Sequence, residues 1–141
     1  MSAAYAWRPR NETAADLEHE LHAAARIEAW AGATSVKLSE SLYHVDWAFF
    51  RNEELVAWGE YKRRAQRFPT LLLGVAKWRA GRALAKDTGV PFLLFVEWPD
   101  GLHYCDTQEM MFPIKRGGNT RGQNGDIEPT YHIPVELFRR I

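Results

Sequence analysis

Apolar and polar positions are patterned most clearly between His44 and Arg64, HVDWAFFRNEELVAWGEYKRR. Two runs rich in Val, Phe, Trp and Leu flank the polar break Arg51-Asn52-Glu53-Glu54, which reads as a β-hairpin. Alternation along the second run puts Val56, Trp58, Glu60 and Lys62 on one side and Leu55, Ala57, Gly59 and Tyr61 on the other. Upstream, Leu17, Leu21, Ala24, Ile27 or Glu28, and Ala31 recur at helical spacing and predict a buried stripe. Thr13 is the expected N-cap of that helix, Asp16 reaches back to it, and Gly32 ends it. Residues 35–40, 42–50 and 54–63 then predict a three-stranded meander.

Beyond Pro69 a second helix is expected from Thr70 to Lys86 or Asp87, with Leu72, Val75, Ala76, Ala83 and Leu84 as its apolar positions. Gly89 closes it and Pro91 prevents its continuation. The nearly unbroken apolar run PFLLFVEW is the pattern of a buried strand, and after a crossover helix such a strand pairs in parallel with a right-handed connection. Pro99-Asp100-Gly101 is a turn into residues 102–107, a hairpin partner. Residues 108–114 show no clear period. Residues 115–129 contain four glycines and two asparagines and read as a loop whose amides, with Lys115, Arg116 and Arg121, suit phosphate. A last strand at 131–133 and a short helix at 134–140 complete the expectation of one α/β domain. Its core spans about 13–107.

Composition changes the picture little. The 141 residues are 46% hydrophobic and 26% charged, ordinary for a globular domain, and 18 basic residues offset 18 acidic ones. Local charge says more. Eight basic residues and no acid fall between Tyr61 and Lys86, whereas five acids and only Arg26 fall between Glu12 and Glu28. This asymmetry can steer a polyanion to one side of a neutral protein. Cys105 is the only cysteine, which excludes an intramolecular disulfide and suits a reducing cytoplasm. No apolar run is long enough to cross a bilayer.

The chemistry sits on the hairpin. Glu60 and Lys62 share a face, and strand pairing brings Asp46 beside them. Two carboxylates can hold Mg²⁺ or Mn²⁺, and a neighbouring lysine can orient or deprotonate water. Asp46 followed by Glu60-Tyr61-Lys62 resembles the PD-(D/E)xK nuclease superfamily, which includes type II restriction enzymes and archaeal Holliday-junction resolvases. Val45 stands where that motif's name has proline. The order helix, three strands, helix, strand also matches the αβββαβ core of the restriction-endonuclease-like fold, a mixed sheet flanked by helices. The resemblance covers about Thr13 to Trp98.

It implies a metal-dependent nuclease that hydrolyses DNA, branched DNA included. Asp46, Glu60 and the Tyr61 carbonyl would bind metal and Lys62 would act on the attacking water. Glu20, on the preceding helix, is the candidate for a second-metal or water-mediated ligand. Arg63, Arg64, Arg67, Lys77, Arg79, Arg82 and Arg121 are the candidate phosphate contacts, and a homodimer would supply two sites for two strands. His19 and His22, three apart, have metal-binding spacing without a further ligand motif, and His44 shares the face of Asp46 on the expected strand. Two other classes remain open. One is an inactive nucleic-acid-binding module of the same fold; the other is a protein-interaction domain packed by Trp47, Trp58, Trp78 and Trp98.

Overall fold

The computed structural model describes residues 13–108, 112–117 and 128–141. Helix α1, Ala14–Ala31, opens on Thr13, whose hydroxyl accepts the Asp16 N–H at 3.1 Å while the Asp16 carboxylate accepts the Thr13 N–H at 3.0 Å. This reciprocal cap satisfies two of the amides a helix start leaves unpaired. Gly32 ends the helix in the left-handed conformation at φ 62°. Strand β1 (Thr34–Lys37), a short helical turn α2 (Glu40–Tyr43), β2 (Trp47–Arg51) and β3 (Glu54–Arg63) follow. The polar break is a two-residue turn in which Asn52 and Glu53 have φ of 51° and 66°, the geometry whose twist suits a tight hairpin.

Strand β4 (Thr70–Gly74) leads directly into α3 (Val75–Thr88). After these come β5 (Phe92–Trp98), β6 (Gly101–Asp106), β7 (Ile114–Gly117), β8 (Glu128–Pro134), a 3₁₀ turn at Val135–Leu137 and β9 (Arg139–Arg140). The main sheet has the order β1-β2-β3-β5-β6-β9; β3 and β5 are parallel and every other pair is antiparallel. A second, antiparallel sheet has the order β4-β8-β7. The fold is therefore the expected mixed α/β sheet flanked by helices.

The main sheet is covered on both faces. On one, Ala23, Ala24 and Ile27 of α1 pack on Trp47, Phe49, Ala57, Phe95 and Leu102. On the other, Trp78 and Ala85 of α3 pack with Val45, Ala48, Trp58, Phe92, Leu94 and Val96, and the small sheet adds Leu71, Leu73 and Ile133. Gly81 matters here because a Cβ would meet the buried Phe92 ring at 2.1 Å, so only glycine lets α3 lie so close. No helix among the described residues is long and apolar enough to cross a membrane.

Five expectations are corrected. Residues 70–74 are strand rather than helix, because Leu71, Leu72 and Leu73 pair with Ile133, His132 and Tyr131. Residues 42–46 are not strand; the turn α2 ends at His44, which adopts φ 61°. The buried stripe of α1 is Glu20, Ala23, Ala24 and Ile27, while Leu17 and Leu21 are exposed, because small alanines let the helix approach an aromatic sheet. The C-terminal residues form a 3₁₀ turn and a strand beside β6 in place of a helix. Within β3 a bulge also leaves Val56 as the extra residue, since Phe49 faces Ala57 and Phe50 faces Leu55. Leu55 then joins the Trp58 face and Val56 the other.

Candidate active site

The hairpin register sets Trp47 opposite Gly59, so Asp46 falls just beyond the last paired residue, beside Glu60. Its N–H donates to the Gly59 carbonyl at 3.2 Å and its Oδ2 accepts the Tyr61 N–H at 2.9 Å. The side chain thus takes the place of a strand partner for Tyr61. The N–H and C=O of one strand residue point to the same side, so the Tyr61 carbonyl opens toward Asp46 as well. Glu60 and Lys62 follow on the face that carries Trp58. These groups line a cleft of about 480 Å³, which Arg63 and Arg64 extend along one wall.

Three acids in this cleft are nearly excluded from water: Glu20 at 7%, Asp46 at 5% and Glu60 at 3% exposure. Three lysines answer them. Lys62 Nζ lies 3.9 Å from Glu60 Oε2; Lys77 Nζ, from α3, lies 3.4 Å from Glu60 Oε2 and 3.5 Å from Glu40 Oε1. Lys37 Nζ pairs with Glu20 and stands 3.9 Å from Asp46 Oδ1. Glu20 Oε1 also accepts the Trp47 indole N–H at 2.8 Å.

Burial dominates the electrostatics. Burial, reinforced by Asp46, pushes the Glu60 carboxyl up to about 7 despite Lys62 and Lys77. Burial likewise raises Asp46 against the Tyr61 N–H bond and the lysines. The Lys62 ammonium is pulled down by burial, against Glu60. Burial also pulls on Lys77, but Glu60, Asp46 and Glu40 outweigh it and raise that group. Two carboxylates held this close and this dry ionise at a cost that an added cation relieves.

The donor set fits a hard divalent cation. Asp46, Glu60 and the Tyr61 carbonyl are all oxygen donors, and Mg²⁺ takes one or two carboxylates and keeps several waters. No group of three or more His, Cys, Asp or Glu suited to caging a metal occurs among the described residues. Glu60 and Glu40 pair with Lys77, and Glu20 and Asp46 lie beside Lys37, so each of these four acids has a lysine partner.

Comparison with known proteins bears on the family and the fold. The family model described as "Phage putative PDDEXK endonuclease" matches residues 6–141. The chain belongs to this family. It is a nuclease of the PD-(D/E)xK kind. Among solved structures it resembles Hjc, a Holliday junction resolvase of Archaeoglobus fulgidus, with a TM-score of 0.53 and 15% identity over 79% of this chain and 85% of that one. No curated protein sequence matches.

Other residues singled out in this PD-(D/E)xK chain fall in different places. Lys77 points into the acid cluster instead of standing apart as a phosphate contact. Arg82 donates to the Thr107 carbonyl at 2.5 Å and braces α3 against the end of β6. Arg67 pairs with Asp100 at 3.3 Å and lies 4.5 Å over the Trp98 ring. Arg79 is exposed on α3, Lys115 and Arg116 are exposed on β7, and Arg121 lies outside the described residues. His44 is exposed at the end of α2, off the strand on which it would have faced the site, and His22 sits 3.9 Å from Glu18 on the surface. The Cys105 thiol is buried and pushed up to about 11, mainly by burial, which disfavours a nucleophilic thiolate. Lys37 and Glu40 were not singled out from the sequence. The register of β1 on β2, which sets Lys37 opposite Trp47, is the observation that finds Lys37.

Proposed function

We propose that this protein is a Mg²⁺-dependent endonuclease that cuts branched DNA. The observation that carries the reading is the pairing of two nearly solvent-excluded carboxylates, Asp46 and Glu60, on one cleft with Lys62. Asp46, Glu60 and the Tyr61 carbonyl hold the cation. Bound there, the ion supplies Lewis-acid polarisation of the scissile phosphate. Lys62, whose ammonium burial makes easier to deprotonate, positions the attacking water and takes its proton. Lys77 neutralises Glu60 and keeps its carboxylate in place. Arg63 and Arg64 on the cleft wall bind flanking phosphates, contacts that position DNA without reading its sequence.

The branched substrate is supported by the likeness in fold to a protein described as a Holliday junction resolvase. A homodimer suits such a substrate, because two strands need two sites. An unpaired buried cysteine suits the cytoplasm. The test is incubation of end-labelled four-way junction, flap, linear duplex and single-stranded DNA with the protein in Mg²⁺ and in EDTA. The expected result is internal cleavage of the junction in Mg²⁺, slower cutting of linear duplex and none in EDTA. Equal rates on junction and duplex would remove the branched-DNA preference. Salt-dependent binding without cleavage in Mg²⁺ or Mn²⁺ would replace the enzyme with a binding module.

A further inference from the structure

Strand β1 is the outer strand of the main sheet, and its last residue, Lys37, sits opposite Trp47 and so next to Asp46. The chain keeps this register past the strand end, since the Leu38 N–H donates to the Asp46 carbonyl at 2.8 Å. Lys37 therefore enters the cleft from the side away from Lys62 and Lys77. Its ammonium pairs with Glu20, stands 3.9 Å from Asp46 Oδ1 and lies 5.3 Å from the centre of the Trp47 ring. Glu20 is held independently by the Trp47 indole N–H at 2.8 Å.

A cation thus already lies between the Glu20 and Asp46 carboxylates, on the opposite side of Asp46 from Glu60. Without it, Glu20 and Asp46 would be two buried oxygen donors that have lost their shared cation, with Lys77 still acting on Asp46, a setting that attracts a hard divalent ion. With it, a second divalent ion would meet a fixed positive charge at contact distance. We propose that the Lys37 ammonium takes the place of a second metal ion, so that the cleft binds one divalent cation per chain. Removing that charge opens a second site between Glu20 and Asp46. The indole bond keeps Glu20 in position when the ammonium is gone. The inference rests on the reading of Asp46 and Glu60 as metal ligands.

The experiment is Mn²⁺ binding to the full chain, read as ions bound per chain by calorimetry and as Mn²⁺–Mn²⁺ coupling by electron paramagnetic resonance. The wild type should bind one ion without coupling. Lys37→Met should bind two coupled ions, Lys37→Arg one, and Lys37→Met combined with Glu20→Gln one. Lys37 is on an exposed edge strand, so these changes leave the core alone; Lys37→Gln is the substitute if Lys37→Met does not fold. One ion in both wild type and the neutral variants overturns the proposal and leaves the metal site at Asp46 and Glu60 standing. Two ions in the wild type also overturn it. No ion in the wild type removes the metal reading itself, and the proposal with it.

Discussion

Lys62→Ala is expected to slow cleavage about 10²–10⁴-fold, the usual contribution of one positioned acid–base group, with Mg²⁺ affinity near that of the wild type. Two features of the cleft set this expectation. Lys62 stands on the Glu60 face of β3, at 3.9 Å, in surroundings that pull its ammonium down. Lys77, closer to Glu60 at 3.4 Å, still neutralises that carboxylate when Lys62 is gone, so the cation ligands stay in place. The loss therefore falls on the chemical step. Single-turnover rates at saturating protein, beside Mg²⁺ titrations, separate the two effects. Lys62→Arg should fail to restore the rate, because a guanidinium stays charged and cannot take a proton from water. A large loss in Lys77→Ala with none in Lys62→Ala would transfer the water-activating role to the helix lysine.

Glu60→Gln is expected to stabilise the metal-free protein at pH 8 by about 3 kcal/mol while removing Mg²⁺ binding. A carboxyl pushed up to about 7 from 4.5, at 3% exposure, is one whose charged form the fold disfavours. Its favourable contribution is fully present below about 4.5 and is lost as pH rises through about 7. The glutamine carries no such charge. Urea unfolding in EDTA should show the gap at pH 8 shrinking toward zero as pH approaches 4.5. Saturating Mg²⁺ should reverse the order at pH 8, because a ligand that binds only the folded state stabilises the wild type alone. A variant less stable than wild type in EDTA at pH 8 would mean that Lys62 and Lys77 more than offset the burial of the Glu60 charge.

Local features of the chain were legible in the sequence. The Thr13–Asp16 cap, the hairpin between β2 and β3 and the hairpin from β5 to β6 depend on residues close together, and β5 itself, though its partner β3 lies more than thirty positions earlier, shows in its unbroken apolar run. The face shared by Glu60 and Lys62 follows from strand alternation alone. What was not legible depends on distant pairings. Leu71-Leu72-Leu73 has no period of its own and becomes a strand only by pairing with residues 131–133, sixty positions later. Lys37 and Glu40 reach the site only once β1 has docked on β2 and α3 has crossed the sheet. The burial of Glu20 requires α1 to pack through Ala23, Ala24 and Ile27, a face whose small residues signal less strongly than Leu17 and Leu21.

The central claim is that Asp46 and Glu60 make a metal-dependent nuclease site. It is tested most directly by cleavage of a labelled four-way junction in Mg²⁺ by wild type and by Asp46→Asn, purified alike and matched in far-ultraviolet circular dichroism. Wild type should cut in Mg²⁺ and stop in EDTA, and folded Asp46→Asn should leave the junction intact. Asp46→Asn cutting at the wild-type rate, or wild type cutting undiminished in EDTA, would contradict it.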